Sequence, residues 1–217
     1  CVEGAVIDAA LEIIKTGGSQ RLDFGVAEAT AWEVGLSCGG QISVLVMAVS
    51  ETGFAPALLT DAAKSLAQRL PVGLCLPVNG GPARQAASLP VTSELVDDEF
   101  WFMQAPRPQI IIIGAVHISQ HLASMATQSG FDVTVIDPRR TFATAERFSG
   151  IKLVFDWPDN VLDEMALDQE TALVALTHDP KIDDAALHLV LGKPLFHIAC
   201  LGSRRTHAAR LERLAAA

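Results

Sequence analysis

Three short segments carry residues whose types and spacing could do chemistry on an anion. In IIIIGAVHIS (110–119) an apolar strand runs into a helix through a turn at which a dinucleotide-binding unit would read G-x-G-x-x-G. Here the three positions hold Gly114, Val116 and Ser119. A helix opening at such a turn, through Ala115 and His117, aims its first amides and the positive end of its dipole at a phosphate. Val116 places a branched side chain where a pyrophosphate would approach the backbone, whereas Ser119 adds only a small group at helix–strand packing. Asp137 ends the next apolar strand, where a carboxylate can accept hydrogen bonds from ribose hydroxyls. LTHDPKIDD (176–184) follows a further apolar strand. His178 and Asp179 there, with Asp183 and Asp184, could form an acid–base pair or ligate a metal. The competing and favoured reading is an Asp179-Pro180 turn, a helix capped by Asp183 or Asp184 and a locally hydrogen-bonded histidine. In CLGSRRTHAARLERL (200–214), Gly202 and Ser203 open a helix straight after a strand. Arg204 and Arg205 add positive charge beside its first amides, while Arg210 and Arg213 read as a solvated helix face.

A thiol is the second kind of candidate. Cys38, followed by Gly39 and Gly40, stands at a glycine-rich bend that leaves the sulfur accessible. Cys1 precedes a helix whose dipole favours thiolate. Either could instead be a small buried apolar residue. The four cysteines are too widely spread for a disulfide framework or a C-x-x-C motif, which fits a reducing compartment. His117 and His121 share one helix without a third ligand in view and read as incidental.

These groups need elements to hold them. GAVIDAALEIIK (4–15) puts Val6, Ile7, Ala10, Leu11 and Ile14 on one helical face and ends at Gly17-Gly18. QRLDFGV and QISVLVMAV read as strands flanking the LSCGG bend, followed by a helix over 57–69, a strand PVGLCLPV and a turn at Asn79-Gly80-Gly81. The proline-rich stretch 82–108, with its acidic cluster, reads as a linker between domains. From residue 109 onward, strands (IIIIG, DVTVID, KLVFD, TALVALT, LFHIACLG) alternate with helical stretches, which predicts a parallel sheet covered on both faces. The fold class is therefore α/β: a Rossmann-like, doubly wound C-terminal domain (109–217) plus a smaller α+β domain (1–81).

Composition bounds the function. The chain has 217 residues, 50% of them hydrophobic, which suffices for one large or two small cores. The formal net charge is −9, with 16 Lys and Arg against 25 Asp and Glu; this opposes nucleic-acid binding. No apolar run spans a bilayer and the first residues lack the basic start of a signal peptide, so a cytoplasmic protein without a membrane partner is expected. The start at Cys1, directly in a helical pattern, suggests that an upstream segment is missing.

The segments CVEGAVIDAALEIIKTG, GLSCGGQISVLV, IIIGAVHISQHLASMATQSGFDVTVIDPR, FATAERF, LTHDPKIDDAAL and FHIACLGSRRTHAARLERL, in this order, resemble the XdhC/CoxI family of xanthine dehydrogenase accessory factors. The resemblance implies a non-enzymatic maturation factor and chaperone. It would bind molybdenum cofactor (molybdopterin, in mono- or dinucleotide form), shelter it while a cysteine desulfurase installs the terminal sulfur, and help deliver it to a molybdenum hydroxylase such as xanthine dehydrogenase. Matching positions are Cys1, Glu3 and Gly4; Cys38, Gly39 and Gly40; Gly114, Ala115 and His117; Asp137, Pro138 and Arg139; His178 and Asp179; and Gly202, Ser203 and Arg204. Val116 and Ser119 replace family glycines, and the family's leading segment is absent, so the N-terminal domain is expected to be incomplete. On this view Cys38, with Cys1 as a second candidate, faces the molybdenum or its sulfur ligand, and the C-terminal loops grip phosphate and pterin across an interdomain cleft. A homodimer is compatible. The alternatives are an NAD(P)-dependent oxidoreductase and an interaction module without a ligand that docks to a dehydrogenase.

Overall fold

The apolar run at 109–113 decides the architecture of the second half of the chain. In a computed structural model, which describes residues 2–25 and 41–216, the chain divides into two units, 1–105 and 106–217.

In the second unit, β7 (Gln109–Ile113) is the middle strand of a five-stranded parallel sheet. Its neighbours are β8 (Asp132–Ile136) and then β9 (Lys152–Val154) on one side, β10 (Thr171–Ala175) and then β11 (His197–Cys200) on the other. Numbered within the unit this is the order 3-2-1-4-5, that of a dinucleotide-binding doubly wound sheet. Because strand side chains alternate between faces, Ile110 and Ile112 join Val133, Val135 and Ala172 in one core. Ala123 and Ala126 of α3 (His117–Gln128) cover that face. Ile111 and Ile113 join Ile136 and Leu173 in the opposite core. There Leu162 of α4 (Pro158–Glu164) and Ile182, Ala186 and Leu187 of α5 (Pro180–Val190) close the layer. Leu214 of α6 (Arg204–Ala215) packs at its margin. Ile111, Ile112, Ile113 and Leu173 are fully buried. At about 1.5–3 kcal/mol for each such side chain, the strands form a rigid frame from which the connecting loops project.

The first unit is built differently. α1 (Val2–Thr16) precedes the antiparallel pair β1 (Ser19–Gly25) and β2 (Gln41–Met47). After α2 (Pro56–Ala67), β3 (Val72–Pro77), β4 (Arg84–Gln85), β5 (Glu94–Val96) and β6 (Glu99–Gln104) form an antiparallel sheet in the order β4-β3-β6-β5. Two expectations are corrected here. Residues 82–108 are not a linker throughout: Glu99–Gln104 pairs with β3 along its whole length, and Asp97, with φ +52°, makes the tight turn between β5 and β6. The prolines that suggested a linker lie outside the paired residues. The apolar face expected for α1 is also rotated, because Ala9 and Ile13 are its buried residues while Ile7, Leu11 and Ile14 are exposed. Among the described residues, no helix is long and apolar enough to cross a membrane.

Candidate functional site

In a sheet of this order the connections from β7 and β10 leave toward opposite faces, and the crevice beyond their carboxyl ends is where ligands bind. The predicted residues of the second unit gather along that edge, in the loops after β7, β8, β10 and β11.

Gly114 ends β7 at φ +105°, and a Cβ there would collide with Thr177 Cγ2 and stand 3.3 Å from the Thr177 amide nitrogen. Only glycine allows both this backbone conformation and this approach of the β10 loop. Its N–H donates to the Ile136 carbonyl at 2.8 Å. Its carbonyl accepts from the Ser119 hydroxyl at 2.5 Å, so the serine in place of a family glycine is absorbed as an internal tie. Val116 is the N-cap of α3, in extended conformation, and supplies no side-chain cap to the first turn. Its side chain is half-buried against the core on that face. The leading amides of α3 are thus left without a capping side chain, the condition in which a helix start accepts an anion. His117 is exposed and packs edge-to-face on His121, with ring centroids 5.0 Å apart.

Asp137 is completely buried and its acceptor positions are filled from within. Oδ1 accepts from the Arg139 amide and Nε, each at 2.9 Å, and Oδ2 accepts from the Ala115 amide and Arg139 Nη2, each at 2.8 Å. Burial pushes this carboxyl up, but the hydrogen bonds from Arg139 and Ala115 outweigh it and the group lies below the ordinary carboxylate range. The expected role as acceptor of ribose hydroxyls is therefore replaced: a carboxylate has about four lone-pair sites, and here each has a donor. What faces outward is Arg139, one-third exposed, with its guanidinium 4.5 Å from the centroid of Phe142. Its hydrogen bond to Asp137, then the negative charges of Asp137, Asp179 and Asp183, hold it protonated.

The loop after β10 is tied by its own hydrogen bonds, as the structural reading of its sequence expects, but the helix cap is Asp179 and not Asp183 or Asp184. Asp179 is the N-cap of α5, accepting from the Lys181 amide at 3.0 Å, with Pro180 at the start of the helix. Asp183, buried, accepts from the Thr177 amide at 3.2 Å, the Thr177 hydroxyl at 2.6 Å and the His178 amide at 3.0 Å. It fixes His178 at φ +62° with its ring side exposed. Among the described residues no group of three or more His, Cys, Asp or Glu could hold a metal.

After β11, Ser203 caps α6, its Oγ accepting from the Thr206 amide at 3.2 Å. Gly202, Arg204 and Arg205 are exposed. Arg210, read from sequence as a solvated residue, is instead 2% exposed. Its Nη2 donates to the Leu201 carbonyl at 3.2 Å and stands 3.5 Å from Asp183 Oδ2. The signal that would have found it is its spacing: Arg210 follows Thr206 by four and Ser203 by seven, on the face that turns toward the cap.

Each unit also has a hollow of its own. One of about 950 Å³ beside β9 and α4 is lined by Asp156, Asp159, Asp163 and Glu164 with Lys152, a surrounding that repels an anion. The other, of about 570 Å³ in the first unit, is lined mostly by apolar side chains from β2, α2, β3 and β6.

Residues 110–217 match the family described as the XdhC Rossmann domain. This part of the chain belongs to that family. Over 99% of its length the chain is 27% identical to the "Molybdenum cofactor insertion chaperone PaoD" of Escherichia coli (strain K12), of which it spans 59%. It is 31% identical over 99 residues, 45% of the chain and 30% of the relative, to a probable xanthine dehydrogenase subunit of Bacillus subtilis (strain 168). A crystal structure of a xanthine dehydrogenase from Bacillus halodurans shares the fold, with a TM-score of 0.74 at 20% identity over 98% of this chain and 70% of that one. Within the XdhC Rossmann domain, then, the loops after β7, β8, β10 and β11 are brought to one edge. Of the first unit's candidates, Glu3 lies exposed on the first turn of α1, and Cys1, Cys38, Gly39 and Gly40 lie outside the described residues. The two described cysteines are poor thiolates, since burial pushes the Cys75 and Cys200 thiols up.

Proposed function

We propose that this protein is a maturation factor for a molybdoenzyme: it binds molybdenum cofactor, assists its sulfuration by a cysteine desulfurase, and passes it to xanthine dehydrogenase or a related hydroxylase. The observation that carries the reading is the common edge of the XdhC Rossmann domain. There the uncapped first turn of α3, the Arg139 guanidinium and the Gly202–Arg204 turn offer amides and positive charge to a phosphorylated ligand. The filled acceptor sites of Asp137 speak against a bound ribose of NAD, and so favour a pterin phosphate over a nicotinamide cofactor. In this reading Val116 and His117 contribute backbone amides, Ala115, whose own amide is spent on Asp137, forms the turn beside them, and His178 and Asp179 border the ligand from the β10 side. Cys38, with Cys1 and Glu3 as further candidates beside Gly39 and Gly40, meets the molybdenum or its sulfur ligand. The homologous relative named as an insertion chaperone supports the same direction.

The test is mass and metal analysis of the gently purified protein, with equilibrium dialysis against molybdopterin and against NADH. Bound pterin and molybdenum, with no retention of NADH, is the expected result. Retention of NADH alone would overturn the proposal in favour of an oxidoreductase. Binding of neither, with stable docking to a dehydrogenase, would leave an interaction module. Cys38→Ala is expected to lower the retained sulfurated cofactor several-fold while the unfolding transition stays unchanged.

A further inference from the structure

Arg210 is a buried cation with donors to spare. Nη2 is used by the Leu201 carbonyl, but Nε and Nη1 are buried without any hydrogen-bond acceptor. The nearby carboxylates are engaged elsewhere. Asp183 receives the Thr177 and His178 amides and the Thr177 hydroxyl, and lies 3.5 Å from Nη2. Asp184 is taken by Arg213 through Nε at 2.5 Å and Nη2 at 3.2 Å, and comes no closer than 4.0 Å to Arg210 Nε. An orphaned guanidinium donor in a folded interior is costly and calls for an explanation.

The position of Nη1 supplies one. A Cβ on residue 202 would stand 4.0 Å from it and 3.3 Å from Thr206 Cβ and Cγ2. Glycine is not required there by a left-handed backbone, because Gly202, unlike Gly114, has no φ in that region. With no side chain at 202, nothing from that residue stands between the turn and the buried Nη1, which an added methyl would meet at van der Waals distance. On the outer side, the same turn opens α6, a helix of 12 residues, with Arg204 and Arg205 exposed beside it.

We infer that Arg210 is a phosphate-binding residue: with no side chain at Gly202 between it and the turn, Nη1 donates to an oxyanion held at the start of α6. The ligand class is a phosphate monoester or pyrophosphate. The inference rests on the proposal that this turn takes the phosphate of the cofactor, and adds the residue that recognises it and the reason for glycine at 202.

The experiment uses the full chain, with inorganic phosphate and pyrophosphate as probes in calorimetric titrations and ¹⁵N spectra of the arginine guanidinium groups. The signals of Arg210, identified by their loss in Arg210→Lys, should shift on adding pyrophosphate. Gly202→Ala, whose backbone tolerates a side chain, should keep a cooperative unfolding transition, weaken pyrophosphate binding at least tenfold and abolish that shift. Tighter binding of pyrophosphate than phosphate would point to the dinucleotide form as the source, and equal binding to the simple monoester. Unchanged affinity in Gly202→Ala, or no Arg210 shift on saturation of the wild type, would overturn the inference. If molybdenum cofactor is retained equally by wild type and Gly202→Ala, the inference fails and the functional proposal stands. If pyrophosphate binds in a Gly202-dependent way and no cofactor is retained, the functional proposal fails and the phosphate site stands.

Discussion

Asp137 illustrates how one buried charge organises the edge of the sheet. Its carboxylate joins the turn after β7, through the Ala115 amide, to Arg139 in the loop after β8. Asp137→Ala would leave the Ala115 and Arg139 amides without their acceptor, at a cost of about 2–4 kcal/mol, read as a lower urea midpoint at neutral pH. The pH dependence follows from its lowered pKa. The carboxylate's contribution is fully present above the ordinary aspartate value of about 3.9 and is lost as pH falls through the lower value of the folded state. The difference between wild type and Asp137→Ala should therefore be constant from pH 7 to 5 and shrink below about pH 4. A difference that persists undiminished at the acid end would show that the charge is not what stabilises the edge.

At the scale of elements, three of the helices that start beyond the carboxyl ends of the strands begin in different ways. α5 has Asp179 as its cap and α6 has Ser203, whereas Val116 gives α3 none. Removing either cap, by Asp179→Ala or Ser203→Ala, should cost about 1 kcal/mol of stability, seen as a small downward shift in the unfolding midpoint. The corresponding Val116→Ala change removes no cap and alters only packing against the core. If Ser203→Ala costs nothing, the α6 start is held by something other than its own side chain.

For the molecule as a whole, residues 106–217 possess a sheet covered on both faces by their own helices, with two cores drawn from alternate residues of the same strands. A chain that buries its apolar residues internally in this way should fold alone. The fragment 106–217 is expected to unfold in one cooperative thermal transition and to keep near-native far-ultraviolet dichroism; a non-cooperative melt would show that its cores need the first unit. The first unit is α+β as expected, yet its sheet includes residues read from sequence as a linker. The apolar residues Ile7, Leu11 and Ile14 of α1 are exposed where the periodicity placed them inward.

The sequence by itself determined the alternation of strands and helices after residue 109, the glycine turn at 114, and the serine cap at 203. Each is set by neighbours within a few positions: continuous apolar residues, a residue that tolerates positive φ, a hydroxyl ahead of a helix. The family resemblance, carried by short motifs in order, was legible in the same way, and the match over 110–217 bears it out. Only the tertiary structure decided which groups are spent. Whether Asp137 is an open acceptor or a saturated one depends on Arg139 and Ala115 folding back onto it. Whether Arg210 is solvated or buried depends on α5 bringing Asp183 beneath it. Such assignments arise from contacts between residues distant in the chain, because desolvation and the supply of hydrogen-bond partners are properties of the packed interior.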